Sequence, residues 1–186
     1  MAGGKVDEDK CRSLKHQAEK YSETIERIVD SLVRQYNKDL DDFMEKVKGM
    51  LDKNERLTDD EVENITLRVP VYMYWASNGL ETLGIQGDNA KAIKMEAYNN
   101  AVIAIDGTIR DKESYAENAT LNEYLTDVAF SRAYKKLKTK LDMAVQLCQA
   151  SRKVLQKRIA EIEIHQMEPD YVKNNNILEK ENDDNE

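Results

Sequence analysis

The sequence contains very few of the residues that interrupt α-helices. Only two prolines and seven glycines occur in 186 residues, and neither type occurs between Lys5 and Lys48. This scarcity argues against short elements joined by many tight turns, because such turns depend on glycine and proline. Apolar residues make up 40% of the chain and charged residues 34%, as is typical of long amphipathic helices. We therefore predict an all-α fold, an elongated helical bundle with long coiled-coil-like N- and C-terminal helices.

Histidine and cysteine are also scarce, which bears on catalysis and metal binding. The two histidines, His16 and His165, form neither a paired-histidine helix motif nor a Cys–His cluster. We therefore expect a protein that is not an enzyme and that has no cofactor and no metal ion. Cys11 and Cys148 both fall on apolar helix stripes. Both are expected to be buried, reduced thiols rather than a disulfide.

Long hydrophobic runs are missing as well. No window approaches the ~20 consecutive apolar residues that a membrane-spanning helix requires. The first ten residues are polar and lack the apolar core of a signal peptide. We therefore expect no membrane partner and a cytoplasmic location.

The first helix instead carries a long stripe of apolar or small residues at alternating three- and four-residue steps. This spacing is a heptad pattern with one stutter, as in coiled coils. A single charged helix cannot bury such a stripe, so the helix should either fold back on the bundle or pair between subunits. The stripe consists of Cys11, Leu14, Ala18, Tyr21, Ile25, Ile28, Leu32, Tyr36, Leu40, Phe43, Val47 and Met50.

A second stripe lies on the last predicted helix, at about 120–166. Two stripes on one chain exceed what short middle helices can cover, and exposed stripes of this length mark interfaces. We therefore predict a homo-oligomer. The residues expected to form the oligomer interface are Leu137, Leu141, Ala144, Cys148, Leu155 and Ile162.

Three consecutive segments are predicted along the chain. Residues 1–56 form the long N-terminal helix, and residues 57–167 form a helical core that ends in a basic oligomerisation helix. Residues 168–186 form an acid- and asparagine-rich tail that is expected to be disordered.

Within the core, Thr58 and Glu61 have the spacing of a capping box that starts a short helix. Pro70 is expected to end this helix, and a second short helix should reach about Leu83 before a turn at 84–88. A longer helix should then run to about Asn118, with Gly107 in its interior at a cost of about 1 kcal/mol.

The net charge of −8 hides a strong asymmetry along the chain. Residues 121–160 contain nine basic and three acidic residues, whereas residues 161–186 contain nine acidic and two basic residues. One interpretation is a solvated helix face followed by a solubilising tail. The alternative is a polyanion-binding face for which the acidic tail competes.

The aromatic group Tyr72, Tyr74 and Trp75 is the most unusual local feature. It can close the bundle as a hydrophobic cluster, with Trp75 in the core, or provide faces on which unpaired bases stack. Lys91 and Lys94 are expected at the start of a helix, where the helix dipole disfavours cations, and this placement hints at a function.

The Tyr-x-x-Trp motif from Tyr72 to Trp75 opens a helix, and an alanine-rich helix follows with Arg110 near its end. A final amphipathic helix then carries small residues and a cysteine. Over about residues 58–166, this layout resembles the UvsY-like recombination mediators of large tailed bacteriophages. The resemblance implies a small helical homo-oligomer in a bacterial host. Such a protein would bind single-stranded DNA and load a RecA-like recombinase onto strands covered by single-strand-binding protein.

Two functions therefore remain open. The first is an accessory recombination factor, whose expected DNA-binding residues are Arg110, Lys112, Lys91, Lys94, Lys135, Lys136, Lys138 and Lys140. The second is a coiled-coil scaffolding or interaction protein, of a virion or a host-takeover complex, with no nucleic-acid role. The placement of the lysines distinguishes the two. An open basic face favours DNA binding, whereas ion pairs with acids of the first helix, such as Glu23, Glu26 and Asp30, favour the scaffold.

Overall fold

The chain folds into long helices. The computed structural model describes the backbone of residues 8–53 and 56–183, and the side chains of residues 15, 16, 18–53 and 56–164. Four helices account for nearly all of this part of the chain, in which there is no strand. The predicted all-α class with long helices is therefore confirmed. The helices are α1 (Glu8–Leu51), α2 (Asp59–Ala104), α3 (Ile109–Ala119) and α4 (Leu121–Asp183).

The predicted capping box at the start of α2 is present. The Thr58 backbone N–H donates to Glu61 Oε2 at 2.8 Å, and the Glu61 N–H donates to Thr58 Oγ1 at 3.3 Å. A second capping box that we did not predict starts α3, where Thr108 and Asp111 exchange the same pair of bonds. Both boxes satisfy amides that would otherwise lack acceptors at a helix start.

α2 is one continuous helix, so the predicted boundary at Pro70 and the predicted turn at 84–88 are wrong. Proline in a helix interior leaves the carbonyl four residues earlier without its usual donor. Here that carbonyl belongs to Thr66, and the Cys148 thiol donates to it across 3.8 Å. Gly84 lies within α2 rather than in a turn, and a Cβ there would make an ordinary van der Waals contact with the Tyr134 ring at 3.5 Å.

Gly107 lies outside the helices, in the link between α2 and α3, so its predicted place in a helix interior is also wrong. Its φ angle is +154°, a value that side-chain-bearing residues rarely adopt. The continuous helix predicted up to about Asn118 is therefore divided into α2 and α3.

The backbone of residues 168–183 continues α4, and the disorder of the tail stays a prediction. A helix that is already formed extends at little cost per residue, because nucleation is the costly step. Residues 184–186, and the side chains of Cys11 and Leu14 with their predicted roles, lie outside the described part.

The chain forms two compact units, and each is discontinuous in sequence. The first unit comprises residues 1–45 and 72–143, and the second comprises residues 46–71 and 144–186. The three segments predicted from the sequence, in contrast, each consisted of one continuous stretch of chain.

In the first unit, α1 folds back on the bundle between Val29 and Phe43. Its core contains Val29, Val33, Leu40 and Phe43 from α1. The Phe43 ring packs on Tyr72 of α2, with a centroid separation of 5.3 Å. The remaining core residues of this unit are Ala76, Leu83, Ala90, Ala116, Ala129, Ala133, Leu137 and Leu141.

The second unit has a smaller core of its own. It is built from Val47 of α1, Val62, Ile65 and Val69 of α2, and three small residues of α4. The small residues are Ala144, Cys148 and Ser151. Cys148 is a buried free thiol, as predicted.

Candidate interaction surfaces

The lysines of α4 that were expected to form a DNA-binding face are partly occupied by ion pairs with α1. Lys136 Nζ lies 2.5 Å from Asp30 Oδ1. Lys140 Nζ donates to both carboxylate oxygens of Asp41 at 2.6 Å. The Asn37 side chain, which is only 1% exposed, donates to the same Asp41 carboxylate at 2.8 Å. These bonds help hold α4 in register on α1.

Lys94 is also engaged within the first unit. It lies in the interior of α2 rather than at a helix start, and its Nζ lies 2.5 Å from Asp127 Oδ2 of α4. The same Nζ stands 5.3 Å from the centre of the Tyr124 ring, within the range of a cation–π contact. Lys91 is exposed on the same helix. The helix-start argument for a function of Lys91 and Lys94 is therefore wrong.

Arg110 and Lys112 were expected near the end of a helix, and the structure places them in the first turn of α3 instead. Arg110 is exposed and Lys112 is half-buried. Cations are disfavoured at a helix start, so the dipole does not explain their presence there. Lys135 and Lys138 are exposed on α4, as is Arg132. None of these three makes an ion pair with a side chain that the structure describes.

Most residues expected to form the oligomer interface lie inside the subunit. Leu137 and Leu141 belong to the core of the first unit, and Ala144 and Cys148 to the core of the second. Other helices of the same chain cover these four residues, which argues against their predicted role in an oligomer interface. Leu155 is half-buried and Ile162 is 53% exposed, so only this last part of the stripe remains accessible.

The aromatic group divides between core and surface. Tyr72 packs on Phe43, as expected for a residue that closes the bundle. Trp75 was expected in the core, but it is 66% exposed. It contacts the exposed Tyr74 edge to face, with a centroid separation of 5.4 Å. The single tryptophan of the chain is therefore part of an exposed aromatic pair.

The N-terminal half of α1 presents an apolar surface that the rest of the first unit leaves partly uncovered. From Val29 onward, the core uses Val29 and Val33 rather than their predicted neighbours Ile28 and Leu32. Tyr21 and Ile28 of the predicted stripe consequently remain 48% and 45% exposed. Ile25 and Leu32 are half-buried. The sequence contains a pattern that could have identified Val29 and Val33. Together with Asn37 and Leu40 they follow each other at four-, four- and three-residue steps, which places all four on one face of α1.

A groove of about 620 Å³ lies along this surface, between α1 and α4 of the first unit. Its floor includes Ala18, Tyr21, Ile25 and Val29 of α1 and Val128 of α4. Charged residues form the two walls: Glu26 and Asp30 belong to α1, whereas Arg132, Lys135 and Lys136 belong to α4. One wall is therefore acidic and the other basic, and the Lys136–Asp30 pair bridges them.

The second unit holds a different polar contact at the start of α2. Arg158 of α4 donates to the Leu57 carbonyl at 2.6 Å and to the Asp59 carboxylate. Its side chain is only 12% exposed, and Arg56 approaches Glu161 at 3.9 Å nearby. Arg158 therefore stabilises the link between α1 and α2.

Two kinds of feature are missing from the described residues. None of the helices is both long and apolar enough to cross a membrane. Over the same part of the chain, no group of three or more histidine, cysteine, aspartate or glutamate side chains is arranged to hold a metal ion.

Comparison with known proteins adds no relative. No protein-family model, curated protein or solved structure matches this chain.

Proposed function

We propose that this protein is a non-enzymatic scaffold or interaction protein that works as a homo-oligomer. The observation that carries the proposal is the uncovered heptad stripe of α1, on which Tyr21 and Ile28 are about half exposed. Heptad spacing is typical of helices that pair with other helices. A contiguous exposed apolar surface is uncommon on monomeric proteins and usually marks a contact site.

The ion pairs of α4 favour this proposal over nucleic-acid binding. A polyanion-binding protein gathers its cations on an open face, where they attract phosphates. Lys136 and Lys140 instead bind carboxylates of α1, and Lys94 binds Asp127. A carboxylate partner offsets the positive charge of such a lysine and so weakens its attraction for a phosphate.

The second candidate is the single-stranded DNA accessory factor that the UvsY-like resemblance implies. The exposed Tyr74–Trp75 pair favours it, because aromatic faces bind unpaired bases without sequence preference. Arg132, Lys135 and Lys138 are the exposed cations of α4 that could contact phosphates. In this role, the partners would be a RecA-like recombinase and single-strand-binding protein. Either function would be exercised in the cytoplasm of a bacterial host.

Fluorescence of the single tryptophan distinguishes the two candidates. The scaffold proposal predicts that single-stranded DNA leaves Trp75 fluorescence unchanged, even at low salt. DNA binding would quench it, and added salt would weaken binding steeply because each phosphate contact releases counterions. Trp75→Ala would then weaken binding by about 1–3 kcal/mol per stacked base.

If DNA quenches the fluorescence, a lysine substitution tests whether the exposed cations of α4 contact its phosphates. If DNA binds, Lys135→Ala should flatten the salt dependence by about one unit, as expected for one lost phosphate contact. Such a result would replace the scaffold proposal with the DNA-binding one. Self-association itself is tested by the mass of the protein in solution.

A further inference from the structure

We propose that the groove between α1 and α4 of the first unit binds a second copy of this chain, with the two α1 helices running in the same direction. This inference rests on the proposed self-association and identifies its surface. The interface predicted from sequence lay on the α4 stripe, which is largely buried. The proposed interface consists instead of residues 18–32 of α1 and their α4 neighbours.

The pattern of α1 supports another helix as the occupant. Ala18, Tyr21, Ile25, Ile28 and Leu32 follow each other at strict three- and four-residue steps, which is the spacing of a coiled-coil seam. This part of α1 spans about 20 Å at 1.5 Å per residue. The stripe is therefore long enough to pack against several turns of a partner helix.

The residues beside the stripe would allow a second copy to approach closely. Ser22, Thr24 and Ser31 border the stripe, are exposed and carry no charge. The Thr24 hydroxyl already donates to the Lys20 carbonyl of its own helix at 2.9 Å, so its burial leaves no unpaired donor. Like charges next to such a seam would oppose pairing of identical helices, and these positions avoid that repulsion.

The charged walls of the groove select one symmetry. A two-fold axis parallel to the groove brings the acidic wall of one copy onto the basic wall of the other. A two-fold axis across the groove would bring acid onto acid and base onto base. Asp30 is already paired with Lys136. Glu26 of one copy is then the acid that faces Arg132 or Lys135 of its partner.

A substitution in the apolar floor tests the surface. Tyr21→Glu places a charge in the proposed contact and should raise the dissociation constant for self-association by about ten- to a hundredfold. Tyr115→Glu on α3 is the matched control, because both tyrosines are 48% exposed in the same unit. The control should assemble as the wild type does. Melting followed by circular dichroism establishes that both variants remain folded.

Disulfide cross-linking tests the orientation without altering the floor. Glu26→Cys and Lys135→Cys would be prepared as separate variants in a Cys11→Ser background and then mixed under oxidising conditions. The parallel arrangement predicts a cross-linked dimer in the mixture and little in either variant alone. Cross-linking of Glu26→Cys with itself would instead indicate the opposite orientation and would overturn the proposed symmetry.

The outcomes separate this inference from the function on which it rests. If wild type is monomeric at high micromolar concentration, both the self-association and this interface are excluded. If wild type assembles but Tyr21→Glu assembles equally well and the mixture does not cross-link, another surface forms the oligomer. Self-association then stands, and only the assignment of the groove is overturned.

Discussion

At the scale of single residues, Gly79 lies where α2 packs tightly against Tyr36 of α1 in the first unit. A Cβ added at this position would lie 2.5 Å from Tyr36 Cγ, a separation that side-chain rotation cannot relieve because it also contacts Tyr36 Cβ. Gly49 on α1 has no neighbouring atom within 4 Å of the same hypothetical Cβ. The two glycines therefore have opposite structural roles, although both lie in helices.

Alanine substitution should change stability in opposite directions at these two positions. Gly79→Ala should lower the free energy of unfolding by about 1–3 kcal/mol, because overpacking outweighs the gain in helix propensity. Gly49→Ala should raise it by about 0.5–1 kcal/mol, since only the unfolded chain loses freedom. Urea unfolding of both variants checks this. Equal effects at the two positions would contradict the close contact with Tyr36.

Cys148 and Pro70 form a second residue-scale feature, in the second unit. The thiol donates to the Thr66 carbonyl, which Pro70 leaves without a backbone donor. Cys148→Ala should therefore destabilise the protein by about 0.5–1.5 kcal/mol, because this part-buried carbonyl loses its donor. Cys148→Ser should cost less than Cys148→Ala does, because the hydroxyl is also a donor.

A double-mutant cycle identifies the cause. In a Pro70→Ala background the backbone N–H of residue 70 can bind the Thr66 carbonyl, so Cys148→Ala should cost less there. The expected coupling is about 0.5–1.5 kcal/mol, the net value of one hydrogen bond. Additive effects of the two substitutions would show that the thiol is only a packing group.

At the scale of whole elements, the stripe of α4 divides between subunit core and surface. Leu137 is fully buried in the first unit, whereas Ile162 in the second is 53% exposed. Leu137→Asp should therefore unfold the subunit or lower its melting temperature sharply, because it buries an unpaired charge. Ile162→Asp should leave the melting temperature near that of wild type. Circular dichroism measures both, and a folded Leu137→Asp monomer would contradict the placement of Leu137 in the core.

The sequence predicted those features of the elements that depend on local pattern. The all-α class followed from the scarcity of breakers, and the start of α2 followed from the spacing of Thr58 and Glu61. The continuity of α2 could not be predicted, because the donor that replaces the amide missing at Pro70 comes from Cys148, 82 residues after Thr66.

The candidate site was predicted only in part, because it too depends on contacts between residues that are far apart in the sequence. The stripe from Ala18 to Leu32 was identified by its spacing. Its exposure could not be predicted, because it depends on which face of α1 packs on the core, and that face contains Val29 and Val33. The pairing of Lys136 and Lys140 with α1 depends on which helices become neighbours. A charge count along the chain shows a basic helix, but it does not show which lysines find carboxylates in the folded chain.

At the scale of the whole molecule, we propose that the chain assembles with copies of itself. The uncovered stripe of α1 and the charged groove beside it are the surfaces that motivate this claim. Exposed ion pairs contribute little to such a contact, typically about 0–1 kcal/mol each. Burial of the apolar floor should therefore supply most of the affinity, and the charges should mainly set the orientation.

Sedimentation equilibrium of the wild-type chain over a range of concentrations tests this claim most directly. We expect a mass that rises from the monomer value of 21.4 kDa toward an integral multiple of it as concentration increases. Added salt should change the midpoint only modestly, because the contact is mainly apolar. A mass of 21.4 kDa that persists into the high micromolar range would contradict self-association.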